Sequence, residues 1–393
     1  MLKRFYILTC ALLLAACASG ATPDPRVNVR GAPTQPPPDW VESSDVITLE
    51  NIGRIELLGR LDSPSTPSTI FAHSLSPDGT RLAGLDNEQV LAWDLITGDL
   101  VFSTARGGAT RVFYAPDKTE VYTATPEGRV SIYNANTGTV QNSFQSIDNF
   151  NDLVGFDPED GWLAFGNLNG EVKVWDPLER QSLVTFKAHN LQITALAFSQ
   201  DGERLATAGD EGTVKVWDWR NRALIQTFTD DRPAYALRFS PDGAQLAVGK
   251  REHLRLWGVD SGEMQRTVET GRGGTAALAY SPDGRYLVSG GANEALSVWN
   301  PQTGGLVAQL PGVGTDRVSL AFSPDGTILL TSSITGRATL WNMTTLGATT
   351  VNNASLDTGT LIFAVDWTSD NRLLTLFGTS GGVYLWGLGA PGE

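Results

Sequence analysis

The sequence predicts an all-β fold, a β-propeller of eight blades, because one short unit recurs along most of the chain. A hydrophobic run ends in an aromatic residue followed by a small, acidic or amide residue eight times, at intervals of 40 to 45 residues. A fixed period of that length indicates one supersecondary unit copied along the chain. The eight endings are Trp93-Asp94, Tyr133-Asn134, Trp175-Asp176, Trp217-Asp218, Trp257-Gly258, Trp299-Asn300, Trp341-Asn342 and Trp386-Gly387.

Each unit except the last contains four short apolar runs, which is the second observation behind the prediction. In the fourth unit they cover 193–198, 205–208, 213–217 and 224–228. Runs this short, rich in β-branched and aromatic residues, are typical of strands and not of helices. Four antiparallel strands repeated around an axis form the blades of a β-propeller.

The third observation is a recurring hairpin turn between the first two strands of a unit. Ser-Pro-Asp-Gly occurs at 76–79, 240–243, 281–284 and 323–326. Proline presets φ for the second turn position, and glycine takes the left-handed conformation that ends the turn. The chain therefore reverses direction at these points, as an antiparallel blade requires.

The strand count predicts how the ring closes. Eight units each supply three inner strands, but only seven outer strands lie between them, and residues 55–61 (Ile-Glu-Leu-Leu-Gly-Arg-Leu) supply the eighth. We expect this N-terminal strand to pair with the last blade, because closure removes an open sheet edge. Residues 52–388 then form a single domain, followed by a short tail at 389–393.

The first residues resemble an export signal. Lys3 and Arg4 precede an apolar stretch from Phe5 to Ala16. This is shorter than the roughly 20 residues that span a bilayer and fits the hydrophobic part of a signal peptide at 1–16. The run Leu14-Ala15-Ala16-Cys17 resembles the lipobox of bacterial lipoproteins, in which the cysteine thiol carries a diacylglycerol. An ordinary signal peptide that contains Cys17 is the alternative.

Residues 17–51 then form a predicted tether that begins with the lipidated Cys17. Pro33 and Pro36 to Pro38 favour an extended polyproline conformation. The resemblance implies that the protein is exported and held by lipid at the cell membrane or the outer membrane.

The repeating unit resembles the WD40 repeat, through its Ser-Pro-Asp-Gly turn, its Leu-Ala-Thr strand and its terminal Trp-Asp. In that family a histidine, a Ser or Thr, an acid and the tryptophan form a hydrogen-bonded tetrad. Only the fourth unit carries all four, as His189, Thr207, Trp217 and either Asp210 or Glu211. The resemblance implies that the other blades depend more on apolar packing.

The sequence contains few residues in patterns typical of catalysis or metal binding. It has three histidines, no Cys/His cluster with zinc spacing and no Asp-rich calcium loop. We therefore predict no catalytic residue, no cofactor and no metal. Its net charge of −14 argues against binding nucleic acid, whose phosphates require a cationic face.

By resemblance to WD40 propellers, partners dock on the face that carries the outer-to-inner loops and the second-to-third strand loops. Arg and aromatic side chains dominate interface hot spots. We hypothesise a partner surface that favours an acidic or extended peptide; the alternative is that the arginines are simply spread over eight loops. The predicted contact residues are Arg111, Phe150, Arg232, Tyr235, Arg251, His253, Arg272 and Arg317.

These observations favour a non-enzymatic, monomeric scaffold that binds envelope proteins or peptide segments and is anchored by lipid in a bacterial cell envelope. One alternative is a lactonase-like propeller hydrolase with a metal in its central channel, which would need inward carboxylates or histidines on several inner strands. Those strands are mostly Ala, Leu, Phe and Thr, with Arg238 and Asp366 as the odd charges. The other alternative is an outer-membrane assembly factor of the quinoprotein-like propeller type.

Overall fold

The structure is a computed structural model, and parts of the chain are described in it. The described residues are 45–64, 69–148, 150–157, 160–229, 232–250, 253–270, 277–290, 296–310, 319–332, 337–346, 353–358, 362–378 and 382–388. The predicted signal peptide, Cys17, most of the predicted tether and the predicted tail lie outside these ranges.

Within these ranges the strands form eight four-stranded antiparallel sheets, so the prediction of an all-β, eight-bladed propeller is confirmed. Short 3₁₀ helices lie at Ile52–Arg54 and Met343–Thr345. The strands are β1 (Ile55–Asp62), β2 (Ala72–Leu75), β3 (Arg81–Leu85), β4 (Gln89–Asp94), β5 (Leu100–Ala105), β6 (Arg111–Tyr114), β7 (Glu120–Ala124), β8 (Arg129–Asn134), β9 (Val140–Gln145), β10 (Phe150–Phe156), β11 (Leu163–Asn167), β12 (Glu171–Asp176), β13 (Gln181–Lys187), β14 (Ile193–Phe198), β15 (Arg204–Gly209), β16 (Thr213–Asp218), β17 (Ala223–Thr229), β18 (Ala236–Phe239), β19 (Gln245–Gly249), β20 (His253–Gly258), β21 (Met264–Glu269), β22 (Ala277–Tyr280), β23 (Leu287–Gly290), β24 (Leu296–Trp299), β25 (Leu306–Leu310), β26 (Leu320–Phe322), β27 (Ile328–Ser332), β28 (Arg337–Asn342), β29 (Asn353–Asp357), β30 (Ile362–Trp367), β31 (Leu373–Gly378) and β32 (Gly382–Leu388).

The ring closes through its N-terminal strand. Blade 1 consists of β2–β5, and each later blade takes the next four strands, but blade 8 has the order β1-β32-β31-β30. The antiparallel register runs from Ile55 opposite Leu388 to Asp62 opposite Gly382. Just before β1, the backbone N–H of Ile47 donates to the carbonyl of Asn371 at 2.8 Å. The predicted closure is therefore the observed one.

The core lies between neighbouring blades. In blades 1 to 7 the repeating aromatic residue packs into a cluster that it shares with the blade before it. Trp93 of blade 1 packs with Phe377 and Leu385 of blade 8. Trp341 of blade 7 packs with Leu310 of blade 6 in the same way. Burial of these large side chains explains why the aromatic residue recurs at one place in the repeat.

The Ser-Pro-Asp-Gly turns are held by their serine as well as by proline and glycine. In blade 1, Gly79 has φ of 70° and its N–H donates to the Ser76 carbonyl at 2.8 Å. The Ser76 hydroxyl donates to Asp78 Oδ1 at 2.6 Å and accepts from the Arg81 N–H at 2.9 Å. The serine thus joins the turn to the strand that follows, a role that the sequence pattern does not reveal.

A second turn, after the repeating aromatic residue of blades 1 to 6, also contains a left-handed residue. Arg180 and Arg222 take it with φ of 55° and 56°. This conformation costs a non-glycine residue roughly 1–2 kcal/mol. Other blades place glycine there, at Gly98, Gly138, Gly262 and Gly304.

We expect Arg222→Gly to stabilise the protein by about 0.5–1 kcal/mol, because relief of the left-handed strain exceeds the added entropy of the unfolded chain. Arg180→Gly is the control: it relieves the same strain but removes the hydrogen bond from Arg180 to Glu120 Oε1 at 2.9 Å. Urea denaturation of both variants measures the difference. A lower midpoint for Arg222→Gly than for the parent would contradict the expectation.

Candidate interaction surface

The two ends of the propeller differ in the connections that they carry. In an antiparallel blade the first-to-second and third-to-fourth strand turns share one end, and the remaining connections share the other. We call the end with the Ser-Pro-Asp-Gly turns the turn face. We call the opposite end, which includes residues 168–170, 188–192, 210–212 and 232–235, the loop face.

The predicted tetrad in blade 4 is assembled just below the loop face. The indole N–H of Trp217 donates to Thr207 Oγ1 at 3.0 Å. Thr207 Oγ1 lies 2.8 Å from His189 Nε2, and His189 Nδ1 lies 2.6 Å from Glu211 Oε1. The acid is therefore Glu211, and Asp210 is exposed to solvent.

The pKa shifts of His189 and Glu211 indicate which of the two groups carries a charge. Burial lowers the pKa of His189, against the opposing hydrogen bond and charge of Glu211. Partial burial would raise the pKa of Glu211, but hydrogen bonds from His189, Thr213 and its own backbone hold it at about 2. A neutral imidazole then donates from Nδ1 to the Glu211 carboxylate and accepts from the Thr207 hydroxyl at Nε2. Every donor in the network therefore has an acceptor. These hydrogen bonds fix the position of the loop that begins at His189.

Two of the predicted contact residues are exposed on the loop face. The Tyr235 ring is 48 % exposed, and its pKa is raised by burial of part of the ring and by the charge of Asp210. Arg232 is also exposed, and its carbonyl accepts a hydrogen bond from the buried ammonium of Lys250 at 2.6 Å. The Tyr235 N–H donates to the Gly249 carbonyl at 3.0 Å, so hydrogen bonds hold the backbone at both residues.

The structure corrects the prediction for Phe150. Its ring is 7 % exposed and packs edge-on against Phe165, with 5.9 Å between ring centroids. The physical reason is that Phe150 begins β10 and faces the core between blades 2 and 3.

Arg111 and His253 are only partly exposed. Arg111 begins β6, and its guanidinium donates to the carbonyl of Thr110 at 3.3 Å. His253 begins β20, and its Nε2 is buried. The remaining predicted contacts, Arg251, Arg272 and Arg317, lie outside the described residues. The described part of the loop face is thus less rich in accessible arginine than the sequence suggests.

Sequence reasoning missed a depression on the loop face between blades 3 and 4. It has a volume of about 560 Å³ and is lined by Leu168, Asn169, Glu171, Lys187, Asn190, Leu191, Gln192 and Asp210. Leu168 and Leu191 are each 49 % exposed. Both leucines occupy connections, where polar residues are usual, and that was the available signal.

A histidine and a carboxylate meet between blades 8 and 1. The His73 ring stacks on Phe377 with centroids 3.6 Å apart, and its Nε2 lies 4.0 Å from Asp366 Oδ2. Burial lowers the pKa of His73 to about 4 and raises that of Asp366 to about 6. Among the described residues, no group of three or more His, Cys, Asp or Glu side chains is placed to hold a metal ion.

The His73 pKa predicts a pH-dependent stability. The unfolded chain binds a proton near pH 6.5 and the folded protein only near pH 4, so this contribution is lost as pH falls between those values. Asp366 has the opposite sign, because its raised pKa costs stability as pH rises from 3.8 through about 6. Leucine does not titrate, so His73→Leu avoids the loss that the parent suffers at low pH. We expect the free energy of unfolding of the variant, measured against that of the parent, to be about 1–2 kcal/mol higher at pH 5 than at pH 8. Urea titrations at both pH values test this, and an equal difference at both would refute it.

The eight-bladed ring and the Trp217–Thr207–His189–Glu211 network define a WD40-repeat β-propeller. The model of the IFT122 first beta-propeller family matches residues 149–390. This is more than half of the chain, and the chain belongs to that family of propellers.

Curated relatives are WD-repeat proteins of eukaryotes. Periodic tryptophan protein 2 of Arabidopsis thaliana is 25 % identical over 250 residues, which cover 56 % of this chain and 27 % of that protein. Pre-mRNA-processing factor 19 homolog 2 of the same plant is 22 % identical over 284 residues, covering 66 % of this chain and 53 % of that protein. The chain thus spans about a quarter to a half of these relatives.

Solved structures share the fold. Sqt1 from Chaetomium thermophilum superimposes with a TM-score of 0.70 at 16 % identity, covering 85 % of this chain and 98 % of that chain. The computationally designed protein Ika8 superimposes with a TM-score of 0.69 at 20 % identity, covering 84 % and 99 %. Another structure contains Sqt1 bound to the N-terminus of the ribosomal protein L10.

Proposed function

We propose that the protein is a scaffold that binds a peptide segment of a partner protein across its loop face. The observation that carries this proposal is the group of half-exposed apolar side chains Leu168, Leu191 and Tyr235 on connections of blades 3 to 5. Tyrosine is enriched among interface hot spots, and grouped exposed apolar side chains mark surfaces that a partner covers. The complex of Sqt1 with the N-terminus of L10 supports the same use of this fold.

The charges around these side chains define the partner more closely. Asp210 is exposed, and its charge acts on Tyr235. Glu171 also lines the depression, where Lys187 is the one basic residue in the described lining. This part of the loop face therefore favours a segment with an aliphatic side chain beside a basic group. The arginines predicted to favour an acidic segment are at positions with little exposure or outside the described ranges, Arg232 excepted.

Affinity purification from the native cells tests the proposal. We expect the triple variant Leu168→Ala, Leu191→Ala, Tyr235→Ala to lose a partner that the parent retains, with an unchanged melting temperature. The matched control is Leu178→Ala, Leu224→Ala, Met264→Ala, which removes similarly exposed apolar residues at the turn face. Retention of every partner by the loop-face variant would overturn the proposal.

We further propose that the scaffold is exported and anchored by lipid on Cys17 in a bacterial cell envelope. Support comes from Lys3, Arg4, the apolar run to Ala16 and the lipobox-like Leu14-Ala15-Ala16-Cys17. No described residue lies in a helix long and apolar enough to cross a membrane.

Mass spectrometry of the protein from its own cells tests the anchor. We expect a mature chain that begins at Cys17 with the mass of added acyl groups, and Cys17→Ser should lack that mass and leave the membrane fraction. A parent chain without acyl mass would refute lipidation and leave the loop-face proposal untouched.

A further inference from the structure

The central channel contains a large cavity beside the innermost strands of blades 3 to 7. Its volume is about 1220 Å³. The described lining extends from Tyr235 and Ser319 at the loop face to Pro241 and Pro282 in the turns at the other end, so the cavity follows the channel. Between these ends the lining is mainly aliphatic, aromatic or alanine, including Leu196, Phe198, Tyr280, Leu320 and Phe322.

One charged side chain lies among the described residues that line this cavity, and it is Arg238. Arg238 is the third residue of β18, and the flanking Leu237 and Phe239 are buried between blades. The equivalent register positions in the two following blades are Ala279 and Ala321. Small neighbours therefore leave room around the guanidinium.

The guanidinium of Arg238 makes no ion pair with any residue in the described ranges. The Arg238 side chain is exposed to the channel, where the protein atoms around it lower its pKa, and no carboxylate among the described residues opposes that effect. Asp366, on the innermost strand of blade 8, is not part of the described cavity lining. An anion that enters the channel gains from pairing with this guanidinium, because the apolar walls around it strengthen the attraction relative to bulk water.

We propose that this channel binds a small amphipathic carboxylate. Its carboxylate pairs with the guanidinium of Arg238, whose planar fork suits bidentate recognition. Its apolar body lies along Leu196, Phe198 and Leu320. The cavity can hold a ligand of this class, since small-molecule sites commonly measure about 300–1,000 Å³. The site is distinct from the depression on the loop face.

Isothermal titration calorimetry with decanoate and 4-phenylbutyrate tests the proposal, with 1-decanol and inorganic phosphate as controls. We expect one-to-one binding of at least one carboxylate to the parent. Arg238→Met should weaken it by about tenfold or more, because a charge-assisted pair is lost, and Arg238→Lys should retain more of it. Asp366→Asn, which removes a charge on the innermost strand of blade 8 outside the described lining, should leave the affinity unchanged. Ala279→Phe keeps the guanidinium but fills the cavity, and should block both decanoate and 1-decanol.

Three results would overturn the proposal. They are the absence of binding by either carboxylate to the folded parent, equal affinity of folded Arg238→Met, or phosphate binding as tight as that of the carboxylates. Melting curves confirm that each variant is folded. If Arg238→Met does not fold, the Ala279→Phe variant still tests whether the ligand binds in this cavity.

Discussion

Removal of residues 1–62, which takes away β1 and everything before it, is expected to destroy the folded propeller. β1 pairs along its length with β32, and Leu61 is buried against Val383 and Leu385. Ile47, just before the strand, is fully buried. Burial of each such side chain contributes roughly 1.5–3 kcal/mol, so their combined loss is comparable with the roughly 5–15 kcal/mol that holds a typical domain folded.

The exposed edge of β32 adds a second consequence. An unpaired hydrophobic edge strand is a template for association, so we expect the truncated protein to aggregate. The matched control lacks residues 1–44 and keeps every residue that the structure describes. Size-exclusion chromatography and thermal melting compare the two, and a folded monomer without β1 would contradict the closure.

Thr207→Val is expected to destabilise the protein by about 2–4 kcal/mol, because it leaves two buried groups without partners. Trp217 Nε1–H loses its acceptor, and His189 Nε2 loses its donor. Thr207 itself is fully buried, so water cannot replace either bond. Valine preserves the shape, which isolates the polar contribution.

Blade 7 offers a matched control for this substitution. Thr331 is also fully buried and accepts from Trp341 Nε1 at 2.9 Å, but no histidine stands in that blade. We expect Thr331→Val to cost about 1–2 kcal/mol, since one strong hydrogen bond is lost. Chemical denaturation of both variants measures the contribution of the histidine and its acid. Equal losses would show that His189 adds nothing to the network.

The fold could be predicted because its determinants are local and repeated. The repeating aromatic residue, the glycine found in most hairpin turns and the apolar runs recur in register, and counting strands predicted closure by β1. The arrangement of the hairpin turns needed more than a pattern, since the hydroxyl of Ser76 joins residues that only the folded turn brings together.

The candidate site was harder to predict because it depends on side-chain direction and on neighbouring blades. The sequence left Asp210 and Glu211 equivalent, and the turn after β15 directs Glu211 to the histidine. Phe150 was assigned to a loop but begins a strand, which buries its ring. Leu168 and Leu191 come from different blades, so no single segment reveals the depression that they share.

Site-specific photo-crosslinking tests most directly whether partners bind the loop face. A photoreactive amino acid at position 191 stands on the loop face, and the same residue at position 178 replaces a leucine of similar exposure at the turn face. We predict crosslinking in native cells to one defined protein from position 191 and not from position 178. Crosslinks only from position 178, or none from position 191 in the folded protein, would contradict the account.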